Sequence, residues 1–335
     1  MPYNDIIRKF IDMYAGRLRN QVSFMLSACN FYMPIFEEAL DAYGLPLELR
    51  YLPIIESALN PSAVSRAGAS GLWQFMIGTG KIYGLESNSL VDERRDPIKA
   101  TWAAARYLKE MYDIYGDWNL VIAAYNCGPG TINKAIRRAN GETDYWKIYN
   151  YLPKETRGYV PAFIAANYVM TYYCDHNICP METNIPASTD TVQVNKNLHF
   201  EQIADLCNVP LDQIKSLNPQ YKKQMIPGDS KPYTLRLPID AISTFIDKQD
   251  TIYTHRADEL FRNRKTVAVK DITPATRKTT SAVAGKGNLT YYTIKSGDTL
   301  STIARKYGVT IKDIQRWNGM SSTKIAAGKR LKIYK

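Results

Sequence analysis

The sequence predicts a multi-domain α+β chain, with one mostly helical domain followed by small modules of strand, helix, turn, helix and strand. Three observations carry that expectation. Residues 3–175 place apolar side chains at helical spacing between clear stop signals. The second half repeats itself at a shift of 100 residues. The stretch "RKTVAVKDITPATRKTTSAVAGKGN", poor in large apolar residues and rich in Thr, Ala and Lys, stands between the two copies and reads as a flexible linker. A chain of 335 residues is long enough for two or three such domains, each with a core. The expected divisions are residues 1–185 for the helical domain, 186–240 for the first module, 241–288 for a helix and basic linker, and 289–335 for the second module.

Taken in order, "VSFMLSACNFYMPIFEEALDAYG" is a helix that stops at Gly44, and Pro46 restarts a helix carrying Leu49, Leu52 and Ile55 toward Glu56. "DPIKATWAAARYLKEMYDIYG" offers Asp96 as N-cap, Pro97 in the first turn and Gly116 as stop. "WNLVIAAYNCG" and "YVPAFIAANYVMTYY" are two further apolar helices. In the repeat, "VQVNKNLHFEQIADLCNVPLDQIKSLN" falls on "YTIKSGDTLSTIARKYGVTIKDIQRWN", pairing Val194 with Ile294, Ile203 with Ile303, Ile214 with Ile314 and Asn218 with Asn318. The same shift pairs Gly228 with Gly328 ahead of the closing runs "YTLRLP" and "KRLKIY". "DAISTFIDKQDTIYTHRADELF" adds a helix after the first copy.

No run of about 18 apolar residues is present, so no membrane span is expected. The start "MPYNDIIRKF" has no signal-peptide hydrophobic stretch, which fits a cytosolic protein or a chain shown without its leader. The net charge of +11 is uneven. Residues 1–185 hold 18 Lys and Arg against 19 Asp and Glu, whereas residues 250–335 hold 18 against 6. A basic tail suits a polyanion or a solvated surface, but nucleic-acid binding needs stacking aromatics interleaved with the charge. Of five cysteines only Cys174 and Cys179 are close, in "CDHNIC", and three potential ligands with no second pair make a poor metal site. No metal and no cofactor are expected, and the thiols read as incidental rather than as a disulfide.

The segment "YLPIIESALNPSAVSRAGASGLWQFM" is the chemical focus. Glu56 follows three large aliphatics, a setting that desolvates a carboxyl and lets it hold a proton near neutral pH. Ser57, Ser65 and Ser70 supply hydroxyls, Gly68 and Gly71 permit close backbone approach to a flat substrate, and Gln74 and Asn126 suit sugar hydroxyls or an N-acetyl amide. The cluster "VDERRDP" (Asp92, Glu93, Asp96) is the nearby source of a second carboxylate and reads better as a helix start with Arg pairing.

"ESALNPSAVSRAGASGLWQFMIGTG", "AAYNCGPGTI" and "ETRGYVPAFIAA", in that order, resemble the lytic transglycosylases of the lysozyme-like superfamily, and within them the membrane-bound murein transglycosylase D type. "YTIKSGDTLSTIARKYGVTIKDIQRWNG" resembles a LysM module, a small peptidoglycan-binding unit. The resemblance implies a lysozyme-like catalytic domain with βααβ LysM-type modules, and peptidoglycan glycan strands as partner. By position it makes Glu56 the single catalytic acid/base and Ser65, Gln74, Met76, Tyr125, Asn126 and Tyr159 substrate-cleft residues, with Tyr159 facing the carboxyl. Gly297, Asp298 and Thr299 of "GDTL" become the glycan-binding turn of the second module, while the first has "NLHF" there and is expected to pack on the catalytic domain. The sequence departs from the family at Trp73, often Met, which is expected to reshape a sugar subsite, and at Cys127, often Ala. The implied reaction is non-hydrolytic cleavage between MurNAc and GlcNAc to a 1,6-anhydro end, by a monomer in the periplasm or cell envelope, a lipoprotein in full-length form. A hydrolytic muramidase and a non-catalytic wall-binding protein are the competing readings.

Overall fold

The computed structural model describes residues 3–182, 185–186, 188–262, 289–295, 298–320, 325 and 328–334. Its contacts form two compact units, residues 1–274 and 275–335. The expected linker at 263–288 lies outside the described residues.

The first unit opens with α1 (Asp5–Ala15), capped by the Asn4 side chain, and the long α2 (Arg19–Ala42). A 3₁₀ turn (Leu47–Tyr51) leads into the short α3 (Leu52–Ser57), and α4 (Ile77–Ile82) follows after a loop of tight turns. Next come α5 (Pro97–Tyr115), α6 (Trp118–Cys127), α7 (Pro129–Arg138), α8 (Tyr145–Ile148) and α9 (Lys154–Thr171). Asp96 caps α5 as expected, accepting from the amides of Ile98 and Lys99 at 3.0 Å, and Gly116 ends it at φ +62°. The final helix starts five residues before the predicted Tyr159 and takes Pro161 into its interior. The core gathers Phe36, Leu52, Trp73, Leu108, Val121, Val160 and Phe163, all at most 1% exposed. Burial of these faces, rather than helix propensity, is what stabilises helices as short as α3.

The first module follows in the same unit: β1 (Thr189–Val194), β2 (Asn197–His199), α10 (Phe200–Cys207), α11 (Leu211–Leu217), β3 (Met225–Pro227) and β4 (Tyr233–Pro238). Antiparallel β1–β4 runs in register from Thr189 opposite Pro238 to Val194 opposite Tyr233. Three helices trail it: α12 (Ile239–Asp247), α13 (Gln249–Thr254) and α14 (Ala257–Leu260). Phe245 and Ile252 enter the same core as Leu198, Phe200 and Leu235, so these helices pack as part of the module. That core also takes Leu90 and Val91 from the helical domain. The module's loop locks on there: Val91 pairs with Tyr221, and the Asp92 amide donates to the Gln220 carbonyl at 2.9 Å.

The second unit has β5 (Leu289–Thr293), α15 (Leu300–Tyr307), α16 (Ile311–Trp317) and β6 (Arg330–Tyr334), with Thr293 opposite Arg330. Its core is Tyr292, Ile294, Leu300, Ile303, Ile314, Leu331 and Ile333. One detail of the predicted repeat is corrected. Asn218 bonds to Arg236 in β4 but Asn318 bonds to Lys332 in β6, so the first copy has four more residues before its closing strand. Gly228 and Gly328 therefore differ in place. A Cβ at Gly228 would meet the Lys196 carbonyl oxygen at 2.2 Å, whereas one at Gly328 would meet nothing within 4 Å among the described residues.

Candidate active site

The peptide from Leu52 to Met76 folds back on itself beside one carboxylate. Leu52, Pro53 and Ile54 are buried, and Pro53 sits in the first turn of α3, where its missing N–H costs nothing. The helix ends abruptly because Ala58 and Leu59 both take the left-handed conformation, at φ 52° and 58°. Each such residue costs on the order of 1 kcal/mol, and such strain gathers at functional sites. The turn is held by the Ser57 hydroxyl, which reaches the carbonyls of Pro53 (3.1 Å) and Leu72 (3.0 Å). Glu56, two residues before Ala58, is thereby fixed in the lining of a cavity of about 430 Å³.

Glu56 is partly exposed and lies among Ile54, Ile55, Ala58 and Val64. Burial raises its pKa from 4.5 to about 7, partly opposed by a hydrogen bond from Tyr159 and assisted by the charge of Glu155. Tyr159, near the start of α9, donates its hydroxyl to Oε1 of Glu56. Tyr125 stands behind and donates to the Trp73 carbonyl at 2.7 Å, and the charge of Glu56 adds to burial in holding its phenol protonated. Asn126 accepts from the Thr156 hydroxyl at 2.9 Å, which ties α6 to α9.

Of the predicted cleft residues, Glu56, Ser65 and Gln74 line the cavity, Tyr159 touches Glu56, and Tyr125 and Asn126 lie on the adjoining helix. Met76 is 45% exposed at the start of α4 and does not line the cavity. Several sequence expectations change. Gln74, at φ 47°, spends its amide N–H on the carbonyls of Gly71 (2.8 Å) and Ala63 (3.2 Å), leaving only its acceptor for a ligand. Ser57 and Ser70 are occupied in holding loops, Ser70 by accepting from Arg95. Gly71 does meet a backbone, but it is the Arg94 carbonyl: a Cβ there would lie 1.8 Å from that oxygen. Trp73 does not line the cavity. It is fully buried, its indole donates to Thr101 at 2.9 Å, and its ring stands edge-on to Phe36.

The acidic cluster is structural. Asp92 forms a bidentate pair with Arg94, both nearly buried; burial pushes the Asp92 pKa up, but Arg94 and then Lys222 outweigh that and hold it below the usual range. Arg94 also donates to the carbonyls of Gly68 (2.8 Å) and Phe75 (2.9 Å), pinning the catalytic loop. Glu93 pairs with Lys99 and Asp96 caps α5. The carboxylate whose charge Glu56 senses is Glu155, in the first turn of α9. Sequence reasoning also missed the opposite wall, Tyr14, Leu18, Gln21 and Met25 of α1, α2 and their connection. In the second module Asp298 accepts from the Lys295 amide and the Tyr292 hydroxyl, both at 2.8 Å, so its carboxylate shapes the turn. Thr299 and Thr302 bond to each other, and Gly297 lies outside the described residues. All five cysteines are free thiols, and no group of three or more His, Cys, Asp or Glu among the described residues is placed to hold a metal ion.

The Transglycosylase SLT domain family matches residues 33–148, the "Lytic transglycosylase MltD, LysM-like domain" family matches 188–254, and the LysM domain family matches 292–333. Membrane-bound lytic murein transglycosylase D of Escherichia coli strain K12 is 32% identical over 337 residues, spanning 99% of this chain and 70% of the relative. The chain belongs to the membrane-bound lytic murein transglycosylase D family. It is thus a lytic transglycosylase with a lysozyme-like SLT domain and two LysM-type regions. The soluble lytic murein transglycosylase of the same organism is 33% identical over 124 residues, 35% of this chain and 19% of that one. The crystal structure of the 70 kDa soluble lytic transglycosylase Slt70 of Escherichia coli superposes with a TM-score of 0.38 at 29% identity, over 43% of this transglycosylase and 24% of that chain. Among the described residues, no helix of the transglycosylase is long and apolar enough to cross a membrane.

Proposed function

We propose that Glu56 is the sole acid/base of this lytic transglycosylase. The enzyme cleaves peptidoglycan between MurNAc and GlcNAc without water and leaves 1,6-anhydroMurNAc ends, while its LysM regions bind the wall. The observation that carries the assignment is the Glu56 carboxyl, with a pKa near 7, bonded to the Tyr159 hydroxyl in a cavity whose other lining side chains carry no charge. Protonated, Glu56 delivers its proton to the bridging oxygen as the bond to C1 of MurNAc breaks. The substrate's N-acetyl oxygen stabilises the cationic centre. Glu56, now a carboxylate, takes the proton of the C6 hydroxyl as that oxygen closes onto C1, and the acid is restored. One carboxyl suffices because the nucleophile belongs to the substrate, unlike the carboxylate pair of most glycosidases. Tyr159 supports the anionic form between the two transfers.

Ser65 and the free acceptor of Gln74 are proposed to contact the sugar in the cavity. Tyr125 and Asn126 are proposed to act from behind by holding α6 against the loop and α9, and Met76 to meet the glycan where it leaves the cavity. Asp298 is proposed to preform the glycan-binding turn of the second module, with Thr299 beside it. The protein acts as a monomer on the periplasmic side of the envelope. Mass spectrometry of fragments released from purified peptidoglycan tests the chemistry. Native protein gives anhydro-muropeptides and Glu56→Gln gives none. Products heavier by one water would mean a hydrolase, with Glu155 the first place to look for its second carboxylate.

A further inference from the structure

A second cavity, of about 690 Å³, opens beside the N-terminal end of α1 and the C-terminal end of α9, and it shares no lining residue with the catalytic one. Its size is within the about 300–1,000 Å³ typical of small-molecule sites. Ile7, Ile11 and Ile164 give it an apolar floor. Around them stand three tyrosines that remain open to solvent: Tyr3 at 71%, Tyr168 at 40% and Tyr172 at 50%. Tyr168 and Tyr172 lie 5.1 Å apart at 43°, and His176 sets its ring edge-on to Tyr168 at 5.6 Å. His176 comes from the "CDHNIC" segment, whose two cysteines are free thiols.

The polar groups are under-used. Nε2 of His176 is buried and has no hydrogen-bond partner among the described residues, a costly state for a ring nitrogen without a ligand. Asn167 spends its amide N–H on the Glu48 carbonyl at 3.3 Å, and its side-chain oxygen has no partner among the described residues. No Lys or Arg lines the cavity, and Glu48 is its one carboxylate, so phosphates, stem-peptide carboxylates and other anions are repelled. A pyranose fits this arrangement. It offers C–H groups on its faces for exposed tyrosine rings and hydroxyls on its rim for His176, Asn167 and Glu48.

We propose that this cavity is a second saccharide site, which holds a neutral, GlcNAc-bearing part of the glycan while Glu56 works elsewhere. The choice of glycan rests on the transglycosylase assignment. α1 lines both sites, with Tyr14 in one and Ile7 in the other, and on α9 Tyr159, which bonds to Glu56, stands nine residues from Tyr168, about 13 Å along the axis. A polymer held there stays beside the acid after each cut, an effective-concentration gain that a short fragment cannot use.

The test is the full chain carrying Tyr168→Ala and Tyr172→Ala, both exposed positions, assayed on insoluble sacculi and on a soluble murein tetrasaccharide. Release from sacculi should fall about 3- to 10-fold, with the tetrasaccharide rate and the melting temperature unchanged. Equal release from sacculi, or an equal loss on both substrates, overturns the proposal. A second arm titrates the inactive Glu56→Gln protein with N-acetylchitotetraose and follows the imidazole proton signals of the three histidines, assigned with His176→Gln. Movement of the His176 signal supports the site, and a fixed His176 signal refutes it. This arm decides the question even if the native protein cleaves nothing, which would refute the activity instead.

Discussion

In the module of residues 188–262, Asn218 joins the end of α11 to β4: its side chain donates to the carbonyls of Ile214 (2.9 Å) and Arg236 (2.8 Å) and accepts from the Arg236 amide (2.8 Å). In the module of residues 289–334, Asn318 makes the same three bonds, to Ile314 (2.8 Å), Lys332 (2.9 Å) and the Lys332 amide (2.7 Å). Their surroundings have little in common. The positions proposed for glycan binding in the second module correspond in the first to Asn197, Leu198 and His199, which form β2 and pair with β3. Trailing residues Tyr253, Ala257 and Phe261 line a cavity beside Asn197, with Phe261 edge-on to His199, and Leu90 and Val91 of the helical domain join the module's core. A shared frame thus tells how a module folds, and its neighbours tell what it is used for. One copy shares its core with Leu90 and Val91 of the catalytic domain, whereas the other's core is drawn from its own residues.

If that contrast is right, the largest effect comes from cutting the bond between catalytic loop and first module. Arg94→Ala leaves Asp92 charged and buried with Lys222, 3.7 Å away, in place of its bidentate partner, and should cost about 3 kcal/mol. The carbonyls of Gly68 and Phe75 also lose their donor, so thermal denaturation and product release should fall together. Next, Asn218→Ala and Asn318→Ala each remove the same stitch, worth about 1–3 kcal/mol. The first should lower the main melting transition and cleavage. The second should lower only a separate transition and leave cleavage of a soluble fragment intact. Equal effects on cleavage would break the comparison.

The pH profile sharpens it. Glu56 donates only when protonated, so cleavage should fall about tenfold per pH unit above about pH 7. Sedimentation onto the wall should stay level there, because bonds from the Lys295 amide and Tyr292 hold the Asp298 carboxyl below its usual range. Glu155→Gln removes a charge that raises the Glu56 pKa and should move the alkaline limb to lower pH. For stability, the folded state binds the extra proton between 4.5 and about 7, so stability declines as pH rises through that window and is level above it. Glu56→Gln should abolish that decline in a denaturation series. The smallest effect is expected from Asp298→Ala, a few-fold loss of wall sedimentation with cleavage of soluble fragments unaltered.

What was legible in the sequence was local. "LPIIES" presents a carboxyl on an apolar turn, and Asp96 with Pro97 and Gly116 brackets a helix, because those signals act within a few residues. The repeat disclosed two cores through Ile203, Ile303 and their neighbours. The opposite cavity wall was not legible, since the amphipathic pattern of α1 says that one face is covered but not by what. Trp73, where the family often has Met, reads in the sequence as a change of subsite shape, and its place in the core is set by Phe36 and by Thr101, 28 residues on. Gln74 likewise spends its donor on two carbonyls of its own loop, a choice made by a left-handed backbone that no residue type signals.

The chain from Lys222 through Asp92 and Arg94 to the carbonyls of Gly68 and Phe75 makes the two modules unequal as heritable parts. The second module's core is drawn from its own residues, Tyr292 to Ile333. Trimming the first would strip Leu90 and Val91 of cover and take Lys222 from a buried carboxylate. A substitution at Leu90, Val91 or Asp92 is therefore felt by the first module as well as by the catalytic loop.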